Sequence, residues 1–80
     1  MNPTKNTADK IFLMRRIIGL ELRLLRTEKK LTLSEAAHQS GVSIKNIKLI
    51  ESGKSFPLHK VAILSAIYEH ELRFELIKTS

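Results

Sequence analysis

The sequence predicts a mainly α domain of four helices followed by one short strand, and three observations carry that expectation. Apolar residues recur at three- and four-residue spacing across residues 11–25; two short amphipathic patterns are hinged on Ser40, Gly41 and Val42; and the period falls to two after Tyr68. With 80 residues, 42% of them hydrophobic, the chain can form one small core. Self-association is an expected source of further burial at this size.

Residues 1–6 are polar and include Pro3, which predicts a disordered tail. A long first helix then spans residues 7–29, with Thr7 as N-cap and Asp9 in the first turn, where a negative charge favours the helix dipole. At about 100° per residue, Ile11, Met14, Ile18, Leu22 and Leu25 form one apolar stripe, and Leu13, Ile17, Leu20 and Leu24 form another. The stripes lie about 130° apart. One serves the domain's own core. The second is either covered by the C-terminal segment folding back or used to contact another molecule.

The second helix is expected at Leu33–Ser40, since Thr32 followed three residues later by Glu35 writes a capping box. Gly41 supplies the turn after it, at a position that often needs positive φ. Ser43 caps the third helix, Ile44–Glu51, and Gly53 ends it. Ile47 and Ile50, with Val42 in the turn, are its expected buried residues, which leaves Ile44, Lys45, Lys48 and Leu49 facing outward. A fourth helix covers residues 58–69, with Leu58, Val61, Leu64 and Tyr68 at helical spacing. Beyond it Leu72, Phe74 and Leu76 alternate with Arg73, Glu75 and Ile77, the period of a strand. No other segment is strand-like, so its partner is expected to be the same segment of a second copy, paired antiparallel across a two-fold axis. The domain organisation read this way is a tail at 1–6, a helical domain at 7–69 and a dimerisation tail at 70–80.

The formal charge of +6 fits a polyanionic partner, and it is concentrated: residues 1–60 carry +7 and residues 61–80 carry −1. The chain contains no cysteine, so no disulfide or thiolate chemistry is available, in keeping with a cytoplasmic location. No apolar run approaches membrane-spanning length, and the N-terminal residues lack the apolar segment of a signal peptide. His38, His59 and His70 fall on different predicted elements without zinc-ligand spacing, so no metal is expected. Neither a phosphate loop, a nucleophile elbow nor a paired-carboxylate constellation occurs, which argues against an enzyme and against a cofactor. A basic amphipathic first helix is also compatible with a membrane surface. The motif downstream of it favours DNA and no membrane partner.

Across residues 18–67 the chain resembles the Xre/Cro/phage-repressor family of helix-turn-helix proteins. The matching positions are Ile18, Gly19, Leu22, Arg23, Leu25, Arg26, Leu31, Thr32, Glu35, Ala37, Gly41, Val42, Ser43, Ile47, Ile50, Glu51, Gly53 and Pro57. The resemblance implies a repressor-like fold, an ion pair between Arg26 and Glu51 that braces the first helix against the third, and a bacterial or phage DNA-binding regulator. It also implies that Ile44, Lys45, Lys48 and Leu49 face base edges in the major groove of double-stranded DNA. The family often has Arg, Gln, Ser or Thr at such positions, and Leu33 likewise replaces a commonly polar residue. Apolar side chains can read thymine methyl groups but cannot make bidentate hydrogen bonds to guanine or adenine. Leu33, Ile44 and Leu49 therefore also read as an apolar patch for a protein partner. Thr32, Ser43, Ser52, Lys54 and Lys60 are candidate phosphate contacts, being helix-terminal hydroxyls and nearby lysines. The segment E-H-E-L-R-F-E-L-I-K is similar to the tail of HipB-like antitoxins, whose short strand pairs between subunits. That likeness implies a homodimer, and adds a toxin protein as a candidate partner.

Overall fold

The computed structural model describes residues 3–78, with side chains described from residue 7. Four helices follow in order: α1 at Pro3–Glu28, α2 at Leu33–Ser40, α3 at Ile44–Glu51 and α4 at Leu58–Ile67. The molecule measures 44 × 22 × 20 Å, and its long axis reflects α1. A 26-residue helix is about 39 Å long at 1.5 Å per residue.

Two expectations about α1 are corrected. The helix begins at Pro3 and not at Thr7, so the tail expected at residues 1–6 is helical from residue 3 onward; residues 1 and 2 lie outside the described residues. Proline at the first helical position accounts for this, because its absent N–H has no partner to lose there and its φ is already helical. The first stripe is also only partly internal. Leu22 and Leu25 are buried and Ile18 is half-buried, but Ile11 and Met14 are exposed. The N-terminal half of α1 projects beyond the shorter helices, which leaves nothing to cover those two residues.

The core gathers Leu22, Leu25, Ala36, Val42, Ile47, Ile50, Val61, Leu64 and Tyr68. Val42, Ile47 and Ile50 are therefore where the helical spacing put them. Helix α3 packs across α1 and against α2, and α2 packs on α4. Leu58, expected in the core stripe of α4, is instead exposed, at the first turn of the helix. That helix ends at Ile67, two residues before the expected boundary, and Glu69 adopts positive φ (62°) just past it.

No strand forms among the described residues, and residues 70–78 have no regular structure. The physical reason is that a lone strand cannot satisfy its own ladder of N–H and C=O groups. Of the three residues expected on a dimer strand, Leu72 is half-buried against the core, beside Ile18, Leu22 and Leu25, while Phe74 and Leu76 are exposed. The tail thus touches one flank of α1 without covering the second stripe. Leu13, Ile17, Leu20 and Leu24 all remain more than half exposed.

Candidate nucleic-acid interface

The two short helices are placed by their ends. Thr32 Oγ1 accepts a hydrogen bond from the Glu35 N–H (3.0 Å), and the Thr32 N–H donates to Glu35 Oε1 (3.0 Å), closing the capping box. These bonds from Thr32, its backbone N–H first, hold the Glu35 carboxyl below its ordinary pKa. At the other end Gly41 takes the left-handed conformation (φ 76°) and donates its N–H to the Ala37 carbonyl at 2.9 Å. Any residue with a Cβ would be strained in that turn. Ser43 then opens α3, its hydroxyl oxygen accepting from the Asn46 N–H at 3.1 Å.

Because Ile47 and Ile50 are fully buried, the opposite face of α3 is fixed toward solvent. Ile44, Lys45, Lys48, Leu49, Ser52 and Lys54 line one open groove of about 530 Å³ on that face. All four expected base-facing residues are there, together with two of the expected phosphate contacts. Lys45 and Lys48 are exposed, Ile44 is exposed, and Leu49 is half-buried. Such a surface offers ammonium groups to acceptors and apolar contact to methyl groups, and it has no carboxylate in its lining.

The remaining phosphate candidates do not line that groove. Thr32 and Ser43 are exposed at the N-termini of α2 and α3, and Lys60 is half-buried in the first turn of α4. As caps, the Thr32 and Ser43 hydroxyls accept from the backbone, and each keeps its own hydrogen for a phosphate oxygen. Ser52 differs, because its hydroxyl donates to the Leu49 carbonyl at 3.0 Å. A phosphate contact through that hydrogen would require giving up the internal bond.

Behind the groove, Arg26 and Glu51 form the bracing pair. Arg26 Nε donates to Glu51 Oε2 at 2.7 Å and Nη2 to Oε1 at 3.1 Å, a bidentate contact, while Nη1 donates to the Leu31 carbonyl at 2.9 Å. One side chain thereby ties α1, the α1–α2 turn and the end of α3. The hydrogen bond to Glu51 raises the Arg26 pKa further against the opposing effect of burial, so the guanidinium stays charged.

Tyr68, a core residue that sequence reasoning placed only by spacing, lies in the field of this pair. Its Oη is buried and has no hydrogen-bond partner among the described residues. Burial, reinforced by the Glu51 carboxylate and opposed by Arg26, pushes its pKa up to about 12. The folded state holds the phenol proton more tightly than the unfolded chain, whose tyrosine ionises near pH 10. Tyr68 therefore contributes stability that is complete below about pH 10 and is lost as pH rises through about 12. As Tyr68 is the sole tyrosine, its ultraviolet absorbance titration is expected to show a midpoint near 12 when folded and near 10 in urea. Tyr68→Phe should remove this pH dependence at little cost at neutral pH, since the hydroxyl has no bond to lose.

Among the described residues no helix is long and apolar enough to cross a membrane, and no group of three or more His, Cys, Asp or Glu side chains is placed to hold a metal ion. No family model, curated protein or solved structure matches this chain.

Proposed function

We propose that this chain is a sequence-specific double-stranded DNA-binding transcriptional regulator that acts as a homodimer and inserts α3 into the major groove. The observation that carries this reading is the groove on the outer face of α3, where Lys45, Lys48 and Lys54 surround Ile44 and Leu49 on a helix held rigidly by its buried face. A capped, exposed helix with convergent cations suits entry into a groove about 12 Å wide. Lys45 is assigned to guanine acceptors, Ile44 and Leu49 to thymine methyl groups, and Lys48 to the base edges beside them. Thr32, Ser43, Lys54 and Lys60 position the phosphate backbone, and Ser52 does so through its exchangeable hydroxyl. The compartment that holds the DNA, a bacterial cytoplasm, is its proposed location.

The dimer supplies two reading helices to half-sites about one helical turn apart. Residues 72–78 give it a strand, with the exposed Phe74 and Leu76 paired against the same segment of the second copy. A second reading, a toxin-binding antitoxin, has in its favour the exposed apolar stripe of α1.

The test replaces both central lysines. For a duplex selected by the wild-type protein, Lys45→Ala/Lys48→Ala is expected to weaken binding by about 10- to 100-fold at low salt. It should also reduce the slope of log affinity against log salt by about one unit for each phosphate contact removed. Fluorescence anisotropy across a salt series measures both. Affinity and slope equal to wild type would take this face out of the interface.

A further inference from the structure

The exposed stripe of α1 has a finer pattern than apolar character alone. Leu13, Ile17, Leu20 and Leu24 follow each other at spacings of four, three and four, the a/d repeat of a coiled coil, with Leu13 and Leu20 at d and Ile17 and Leu24 at a. In that register Ile18, Leu22 and Leu25, which face the domain's own core, fall at the outer positions b and f. The core and the stripe therefore occupy opposite sides of one helix. A helix laid on the stripe would not compete with α2, α3 or α4 for space.

The residues bordering the stripe identify the occupant. Arg16 and Arg23 fall at the g positions, Glu21 and Glu28 at the e positions, and all four are exposed. None of them has an ion-pair partner among the described residues; Arg16 does lie over the Phe12 ring, 5.8 Å from its centroid. In a parallel two-stranded coiled coil each g residue meets the e residue five positions further along on the other strand. That rule brings Arg16 to Glu21 and Arg23 to Glu28 of an identical helix, each pair repeated by symmetry. Antiparallel pairing would instead set arginine against arginine and glutamate against glutamate, which repel. Isoleucine at a with leucine at d favours two strands over three or four, and Lys10 at the preceding a position is a polar register mark. So short a coiled coil would not hold free peptides together. Here the C-terminal half of α1 is already ordered by Leu22 and Leu25 in the core, so association need not bear that cost.

We propose that α1 pairs in parallel with α1 of a second copy through Leu13, Ile17, Leu20 and Leu24, with Arg16–Glu21 and Arg23–Glu28 ion pairs across the seam. This rests on the dimer reading above but not on the tail strand. Since the chain has no cysteine, Lys10→Cys puts a single thiol on the seam without touching its four apolar residues. Mild oxidation with copper phenanthroline of the full-length variant is expected to give a covalent dimer. In antiparallel order the same thiols would lie about 25 Å apart and would not join. Adding Glu21→Arg/Glu28→Arg should slow cross-linking about tenfold, as should adding Arg16→Glu/Arg23→Glu. Mixing these two variants should restore it, by restoring opposite charges across the seam, which also shows that both remain folded.

Sedimentation of the same full chain separates the possible failures. A dimer that does not cross-link at position 10, or whose cross-linking ignores the charge reversals, overturns the seam and leaves a tail-paired dimer standing. A monomer overturns both. A seam that joins only when a different protein is added assigns the stripe to that protein and likewise overturns self-pairing.

Discussion

Gly19→Ala is expected to cost the fold about 3 kcal/mol and to lower its midpoint of thermal unfolding by more than about 10 °C. A Cβ built at Gly19 would lie 2.3 Å from the Ile50 carbonyl oxygen and 2.9 Å from that of Glu51. Both are backbone atoms at the C-terminal end of α3, so no rotamer change can relieve the overlap. The helices must separate, which withdraws Leu22 from Ile50 and loosens close-packed contacts at the centre of the core. In an isolated helix the same substitution would be favourable by about 1 kcal/mol. The sign of the measured change therefore decides whether α1 and α3 touch here. Thermal unfolding followed by circular dichroism, with urea titration for the free energy, makes that measurement. A Gly19→Ala protein as stable as wild type would show that the two helices do not approach this closely.

The other large effect is expected at the bracing pair. Arg26→Met should destabilise the domain by about 3 kcal/mol, because it leaves the Glu51 carboxylate, whose side chain is only 9% exposed, without its partner. It also releases the Leu31 carbonyl. Most of that loss is the cost of an uncompensated charge and not the worth of the pair itself. Accordingly the double variant Arg26→Met/Glu51→Leu is expected to recover much of the stability, since apolar replacements of similar volume are tolerated at such sites. Urea unfolding of the two single variants and the double variant separates these contributions. A single variant with unchanged stability would mean that the charges are solvated and that the brace is nominal.

What the sequence made legible follows the range of the interactions involved. Helices α2 and α3 have the expected bounds because their signals are local: Thr32 with Glu35, Gly41 in its left-handed turn, and Ser43. The Arg26–Glu51 contact came from a resemblance and is present as a bidentate pair, although no spacing rule links residues 25 apart. Gly19 was visible as a matching position, yet its reason, a carbonyl pressed against its α-carbon, belongs to tertiary packing. Local chemistry failed at the ends of α1 and α4, where two polar-looking sites, Thr7 and Glu69, compete with Pro3 and with a left-handed turn. Ile11, Met14 and Leu58 have core spacing without a core to enter, because the molecule is narrower than α1 is long. The alternation from Leu72 onward describes a strand that a single chain cannot complete. At the candidate interface, the outward face of α3 was readable from the burial of its opposite face, whereas the orphaned hydroxyl of Tyr68 was not.

The most direct measurement is selection of bound duplexes from a random oligonucleotide pool at low ionic strength, using the full chain. The expected result is an enriched, inverted pair of half-sites whose centres lie about one helical turn apart, lost on Lys45→Ala/Lys48→Ala. Retention of no duplex, or retention without any enriched sequence, would contradict a DNA-reading role for α3.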